Sequence, residues 1–236
     1  MINMRKVNLF IPSAGLGTRL LPLTADLPKA LVDVNGKPMI EHVLQQTKSE
    51  YINKTIVNVH HHSQKLVDYL QTYHKDVVIS DESQLLLNTG GGLKKALEIL
   101  NDDNFLLVHN VDIETDYHIN NLIEIAVNQG DAMGYLIVSD RVSTRKLLFD
   151  EEMRLCGWHN CKTDEWIYSN SSRKYKYELA FSGIYAVSPR IKAYLSKVEE
   201  DSFELIPALL QIAETETFTG VNVSGFFFND LGKFKR

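Results

Sequence analysis

The stretch Val7-Asn8-Leu9-Phe10-Ile11-Pro12-Ser13-Ala14-Gly15-Leu16-Gly17-Thr18-Arg19-Leu20-Leu21-Pro22-Leu23-Thr24, continued by Leu27-Pro28-Lys29-Ala30-Leu31, decides how the chain is read. Residues 7–11 form a short apolar run and read as a buried strand. The run empties into a loop with two glycines, a hydroxyl and an arginine, and a lysine follows further on. Glycine lets backbone amides approach a ligand closely, and successive amides form a concave nest for anions. Arg19 adds a planar cationic fork and Lys29 a point charge. Those are the parts that a triphosphate site needs.

Two commoner glycine-loop readings do not fit. The dinucleotide fingerprint carries a third glycine three residues after the second, inside a helix that follows at once. That position is Leu20, and Pro22 and Pro28 prevent one helix across the segment. The phosphate loop of nucleotide hydrolases ends in Gly-Lys-Ser/Thr, which Gly17-Thr18-Arg19 does not supply. The plainer alternative is a glycine-rich turn with incidental charge, and the Arg and Pro-Lys that follow weigh against it.

Composition narrows the field further. A chain of 236 residues, 44% of them hydrophobic, can bury a full core, and its length favours one domain. With a net charge of −5 it has no basic field of the kind that nucleic-acid binders use. No run of about eighteen apolar residues offers a membrane span. The run at 7–11 is too short for a secretory signal, so the expectation is a cytoplasmic protein. Cys156 and Cys161, with His159 between them, read as reduced thiols, not as a disulfide framework or a complete zinc site.

Strand and helix signals alternate to about residue 140. Strands are expected over 31–34, 55–59, 77–79, 105–108 and 132–138. Helices are expected from Pro38 as the first helical residue, after a capping Ser63, after Gly90-Gly91-Gly92 and over 119–127. The alternation predicts an α/β fold, a Rossmann-like mixed, mainly parallel sheet flanked by helices. Loops after Ile11, Val59, Ile79 and Val108 should then share one cleft beyond the strand ends. From 143 to 177 the pattern turns to short strands over 146–149, 155–158 and 166–168, and a longer strand follows over 178–187. Helices at 191–195 and 203–213 and strands at 218–223 and 226–228 complete the reading.

The combination Gly15-Leu16-Gly17-Thr18-Arg19-Leu20, Pro22-Leu23-Thr24, Pro28-Lys29-Ala30-Leu31 and Asn35-Gly36-Lys37-Pro38-Met39 resembles the sugar-1-phosphate nucleotidylyltransferases. It looks nearest to the mannose-1-phosphate guanylyltransferases and N-acetylmuramate-1-phosphate uridylyltransferases. The resemblance implies a Mg²⁺-dependent transferase that joins a nucleoside triphosphate to a sugar-1-phosphate and releases pyrophosphate, in the service of cell-envelope polysaccharide synthesis. It implies one domain over 1–236, with a nucleotide-binding half (1–140) and a sugar-phosphate-binding half (141–236). In it Ala14, Gly15, Gly17 and Thr18 belong to the nucleotide site, and Arg19 and Lys29 are the catalytic cations.

Other stretches extend the same reading. Thr89-Gly90-Gly91-Gly92-Leu93 reads as a loop of bare backbone before a helix, and the resemblance gives Gly90 and Gly91 to the base and ribose. Asp112, just past a buried strand, suits Mg²⁺, which prefers oxygen ligands; the plainer alternative is a helix cap. Val111 stands where family members usually carry glycine. Asp230, in Asn229-Asp230-Leu231-Gly232, is by itself a turn signal, and the resemblance makes it the second metal carboxylate. His60-His61-His62 alternate sides on an extended backbone and cannot share one ion; the resemblance places them along the cleft. Phe181-Ser182-Gly183-Ile184 matches an element whose glycine admits the sugar. Glu178 is a further sugar-side candidate, on the opposite strand face from Gly183 unless a bulge intervenes. The Glu-Lys-Pro motif of many relatives is absent.

Two other readings stay open: a catalytically silent nucleotide- or sugar-phosphate-binding protein on the same fold, and a choline-phosphate cytidylyltransferase. The base, the sugar and any homo-oligomer are not legible in the residues.

Overall fold

The structure, a computed structural model, describes residues 6–169 and 174–232. Its elements begin β1 (Val7–Ile11), β2 (Asp33–Val34), β3 (Lys37–Pro38), α1 (Met39–Gln46), β4 (Ile52–Val59), α2 (Ser63–Tyr73), β5 (Val78–Asp81) and α3 (Asn88–Leu100). Then come β6 (Leu106–His109), β7 (Ile113–Thr115), α4 (Ile119–Gln129), β8 (Gly134–Ser139), β9 (Arg145–Phe149), β10 (Leu155–Asn160) and β11 (Glu165–Tyr168). The last are β12 (Tyr177–Val187), α5 (Lys192–Leu195), α6 (Leu205–Ile212), β13 (Phe218–Asn222) and β14 (Phe228–Asp230).

β1 is the axis of the sheet. All five of its residues are buried, and it pairs in parallel with β4 on one side and β6 on the other. A strand covered on both faces reads as an unbroken apolar run, which is how it stood out in the sequence. Val7, Leu9 and Ile11 face a core layer with α1, α2 and α4, while Phe10 faces a second layer with α3, α5 and α6. The chain is therefore a three-layer α/β/α sandwich.

The strand order is β11-β10-β9-β12-β6-β1-β4-β5, with β8 on β12 and β13 on β8. β6, β1, β4 and β5 are parallel, and β12 runs against β6. β12 joins the two parts: its C-terminal end pairs with β6 and β8, and its N-terminal end with β9. Its register against β8 slips between Phe181 and Tyr185, where Gly183 takes a φ of 78°. This is the bulge that the strand arithmetic had left open.

Several local expectations shift. Residues 29–31 form a 3₁₀ turn ahead of β2, and Pro38 caps α1 from outside instead of opening it. Ser63 is the first residue of α2, preceded by His62 at a φ of 50°, and its side chain caps nothing. β14 begins at Phe228, two residues later than expected, and pairs with β7, a strand that the sequence reading missed.

The largest correction concerns Gly90-Gly91-Gly92. They lie inside α3, all buried, not in a loop before it. A Cβ on Gly90 would sit 2.4 Å from the Phe203 ring, one on Gly91 2.1 Å from the Asp201 carbonyl oxygen, and one on Gly92 3.0 Å from Asn58 Nδ2. Glycine within a helix costs about 1 kcal/mol relative to alanine. Here it permits the segment 201–203 to seat directly on the helix backbone. Gly91→Ala should therefore lower unfolding free energy by about 2 kcal/mol or more, through overpacking against backbone. Gly15→Ala, where nothing lies within 4 Å of the added methyl, should leave the urea midpoint near wild type.

Candidate active site

The loop after β1 is held in place by a side chain from β4. Asn58 Oδ1 accepts from the amides of Ser13 (2.6 Å) and Ala14 (3.2 Å), and Asn58 Nδ2 donates to Glu82 Oε1 (2.8 Å). Glu82 is almost fully buried, and that burial pushes its carboxyl above the usual range. The chain Glu82–Asn58–Ser13/Ala14 thus ties the ends of β5, β4 and β1 together. Beyond it Gly17 adopts a φ of 66°, and its carbonyl accepts from Thr24 Oγ1 (2.9 Å). Arg19 follows in a 3₁₀ turn, Thr18–Leu20.

The two aspartates meet through the β7–β14 pair. Asp112 lies between β6 and β7, Asp230 is opposite Ile113 in the ladder, and the Leu231 amide donates to the Asp112 carbonyl (2.8 Å). A Cβ built on Gly232 would lie 2.5 Å from Asp112 Oδ2, 3.0 Å from Asp230 Oδ1 and 3.0 Å from Lys29 Nζ. Both carboxylates and the lysine therefore crowd against Gly232, and any side chain at 232 would run into them. Lys29 Nζ donates to Asp112 Oδ2, while Arg19 stands 3.8 Å from Asp112 and 3.5 Å from Asp230. Lys29 and Asp112 are largely buried and Arg19 is exposed, so the lysine pair is the less screened of the two.

Two cavities meet here. One of about 440 Å³ is walled by the glycine loop, Lys29, Asn58, Asn88 and Thr89. The other, of about 720 Å³, is walled by Arg141, Arg145, Lys146, Lys162, Gly183 and Asp230. They share Arg19, Asn110 and Asp112.

Among the residues expected at a site, Ala14, Gly15, Gly17, Thr18, Arg19, Lys29 and Asp112 line the first cavity, and Gly183 and Asp230 line the second. Gly90 and Gly91 line neither. Their amides are bound to the Phe203 carbonyl (2.8 and 3.3 Å), and it is Asn88 and Thr89, just ahead, that reach the first cavity. Glu178 also lines neither; its Oε1 lies 3.4 Å from His159 Nδ1 on the β9–β11 meander. The histidines do not line the cleft, because the chain turns at 60–62 and spends each ring on a backbone carbonyl. His60 meets Glu82 (2.7 Å), His61 meets Thr24 (3.4 Å) and His62 meets Ala25 (2.9 Å), which clamps the end of the glycine loop. Val111 is buried in the core beside Asp112.

The sequence reading missed the Asn58–Glu82 tie and the basic wall. Arg141 donates to the Phe181 carbonyl (2.8 Å), its Nε is buried without a partner among the described residues, and burial pushes its guanidinium down from the ordinary value against the pull of Asp230. The only linear trace of this wall is a run of basic residues from 141 to 162, with no sign of which face each occupies.

Known proteins resemble the chain along most of its length. A model of the nucleotidyl transferase family matches residues 10–146. The N-acetylmuramate alpha-1-phosphate uridylyltransferase of Caulobacter vibrioides is 30% identical over 227 residues, 92% of this chain and 88% of that protein. The mannose-1-phosphate guanyltransferase of Aspergillus oryzae is 28% identical over 230 residues, 93% of this chain and 59% of that one. The chain spans about half the length of several further relatives that it matches. A UDP-glucose pyrophosphorylase structure from Acinetobacter baumanii superposes with a TM-score of 0.75, covering 97% of this chain and 89% of that one at 17% identity, a likeness of fold.

Asn58→Ala would strand two loop amides and the Glu82 carboxyl. It should lower stability by about 1–3 kcal/mol and loosen the loop, measured as weaker nucleotide binding by calorimetry. His109 gives a pH test. It is buried, its Nδ1 donates to the Asn110 carbonyl (3.0 Å), its Nε2 has no partner among the described residues, and burial lowers its pKa to about 4. The unfolded chain takes up this proton below about pH 6.5 and the folded one does not. The stabilisation is therefore complete above that pH and is lost as pH falls toward 4. Wild type should lose about 3 kcal/mol more than His109→Gln across that window, read from denaturation curves at each pH.

Proposed function

The chain belongs to the nucleotidyl transferase family, and from that premise we propose that it is a sugar-1-phosphate nucleotidylyltransferase: it joins a nucleoside triphosphate to a sugar-1-phosphate, giving a nucleoside-diphosphate sugar and pyrophosphate. The observation that carries the reading is the convergence of Lys29 Nζ, Asp112 Oδ2 and Asp230 Oδ1 beside Gly232, at residues where the two cavities adjoin.

The chemistry asks for positioning and charge neutralisation more than covalent work. The sugar-phosphate oxygen is already ionised at neutral pH, so it attacks the α-phosphorus in line without a general base. The cavity of the glycine loop takes the triphosphate, with Arg19 and the amides around Gly15 and Gly17 on the β- and γ-phosphates that leave. Lys29 faces the α-phosphate and offsets the charge that builds there. Without ligand, Lys29 and Arg19 spend their charge on Asp112 and Asp230; phosphate oxygens would compete for the same donors.

Asp112 and Asp230 fit Mg²⁺: both offer oxygen only, both carboxylates converge beside Gly232, and both residues line the larger cavity. An ion held by these two carboxylates would supply positive charge that offsets the charge on the phosphates. On the acceptor side Arg141, Arg145, Lys146 and Lys162 take the place of the absent lysine motif as the cationic wall for the sugar phosphate. No helix among the described residues is long and apolar enough to cross a membrane. The muramate-linked relative supports cell-envelope polysaccharide synthesis as the destination of the product.

The test is pyrophosphate release in the presence of Mg²⁺, scanning four nucleoside triphosphates against a panel of sugar-1-phosphates with phosphocholine included. Release with a sugar-1-phosphate is expected. Thermal stabilisation by nucleotide without release would mark a binding module, and preference for phosphocholine a cytidylyltransferase. Asp112→Asn and Lys29→Gln should each cut kcat by about 100-fold or more while circular dichroism stays native. A near-wild-type rate in Asp112→Asn would remove its proposed metal role.

A further inference from the structure

The β9–β11 meander carries a second group of metal-ligating side chains, outside both cavities. His159 lies on β10, Cys161 follows that strand, and Glu178 lies on β12. β10 and β12 flank β9, with His159 opposite Lys146 and Glu178 opposite Leu148. Lys146 and Leu148 are two apart on one strand, so His159 and Glu178 stand on the same face. Cys156 is not part of the group; its thiol meets the Leu148 carbonyl (3.4 Å). The linear Cys-His-Cys spacing is thus replaced in space by His-Cys-Glu.

The distances are those of a coordination shell. His159 Nδ1 lies 3.6 Å from Cys161 Sγ and 3.4 Å from Glu178 Oε1, and one ligand atom from each residue falls within 4.8 Å of the others. Around a tetrahedral zinc, bonds of about 2.3 Å to sulfur and about 2.0 Å to nitrogen and oxygen place ligand atoms about 3.3–3.6 Å apart. The two edges from His159 already have those lengths.

The histidine is also held as a ligand would be. Its Nε2 faces Asp164 Oδ1 at 3.3 Å, so with the proton on Nε2 the Nδ1 lone pair points to the thiol and the carboxylate. Metal-bound histidines commonly carry such a carboxylate on the far nitrogen. Trp166 stacks on the ring at 3.5 Å with an interplanar angle of 11°, and its Nε1 donates to the same Asp164 (2.9 Å). Cys161 is exposed, so an ion has access from solvent.

We propose that His159 Nδ1, Cys161 Sγ and the Glu178 carboxylate bind one zinc-class divalent ion, with water as the fourth ligand. Binding displaces the thiol proton to solvent. Thiolate and imidazole favour zinc over magnesium, which separates this centre from the all-oxygen pair Asp112 and Asp230. Trp158, Asn160 and Lys162 alternate with the ligands and line the acceptor cavity. The ion would therefore tie β10 to β12 directly behind that wall.

Cobalt(II) is the probe, titrated into the full, reduced, metal-free chain with excess Mg²⁺ present. The expected result is one equivalent with a thiolate-to-cobalt charge-transfer band and tetrahedral visible absorption, both removed by stoichiometric Zn²⁺. Cys161→Ser should abolish the band without moving the melting temperature of the metal-free protein. Asp164→Asn should weaken cobalt affinity by about tenfold or more. A titration without a thiolate band would overturn the proposal, as would a band that persists in Cys161→Ser or an affinity unchanged in Glu178→Gln.

Discussion

Two carboxylates within reach of one point are a liability unless something answers their charge. Asp112 and Asp230 repel on the order of a few kcal/mol at the effective dielectric of a protein cleft. Lys29, largely buried and donating to Asp112, and Arg19, exposed and near both, are the answer in the ligand-free chain. The arrangement leaves two carboxylates and two cations facing one another across the border of the two cavities. Gly232 is the geometric condition for it, because any side chain there would occupy the space where these groups meet.

The scaffold serves that junction. β1 is locked on both edges, so the loop leaving it starts from a rigid end, and Asn58 carries the rigidity of β4 into its first amides. The histidines after β4 extend the same device by fastening the far end of the loop at Thr24 and Ala25. β12 connects this parallel region to the antiparallel meander, and its bulge at Gly183 brings the backbone against Asn110, on the border of both cavities. The walls of the two cavities thus belong to one continuous sheet.

Residues that did not behave as read show where local pattern runs out. Three glycines ahead of an apolar helix look the same in sequence whether they face a ligand or another segment of chain. Only the placement of Asp201 and Phe203, more than a hundred residues away, turns them to packing. Glu178 could reach the side of Gly183 only through a bulge; the register does slip between Phe181 and Tyr185, yet Glu178 still turns to His159. Consecutive histidines were read on an extended backbone, but the strand ends at Val59 and the chain turns.

The sequence by itself determined the buried central strand, the alternation of strands and helices, the meander after residue 143 and the glycine loop with its arginine and lysine. These are written in neighbouring residues, through hydrophobic period, turn chemistry and backbone freedom. Tertiary structure alone decided the meeting of Asp112 with Asp230, the basic wall of Arg141 to Lys162, the Asn58–Glu82 tie and the gathering of His159, Cys161 and Glu178. Each joins side chains from separate strands or the loops at their ends, and strand order and register are set by the packing of the whole sheet, which no local stretch of chain contains.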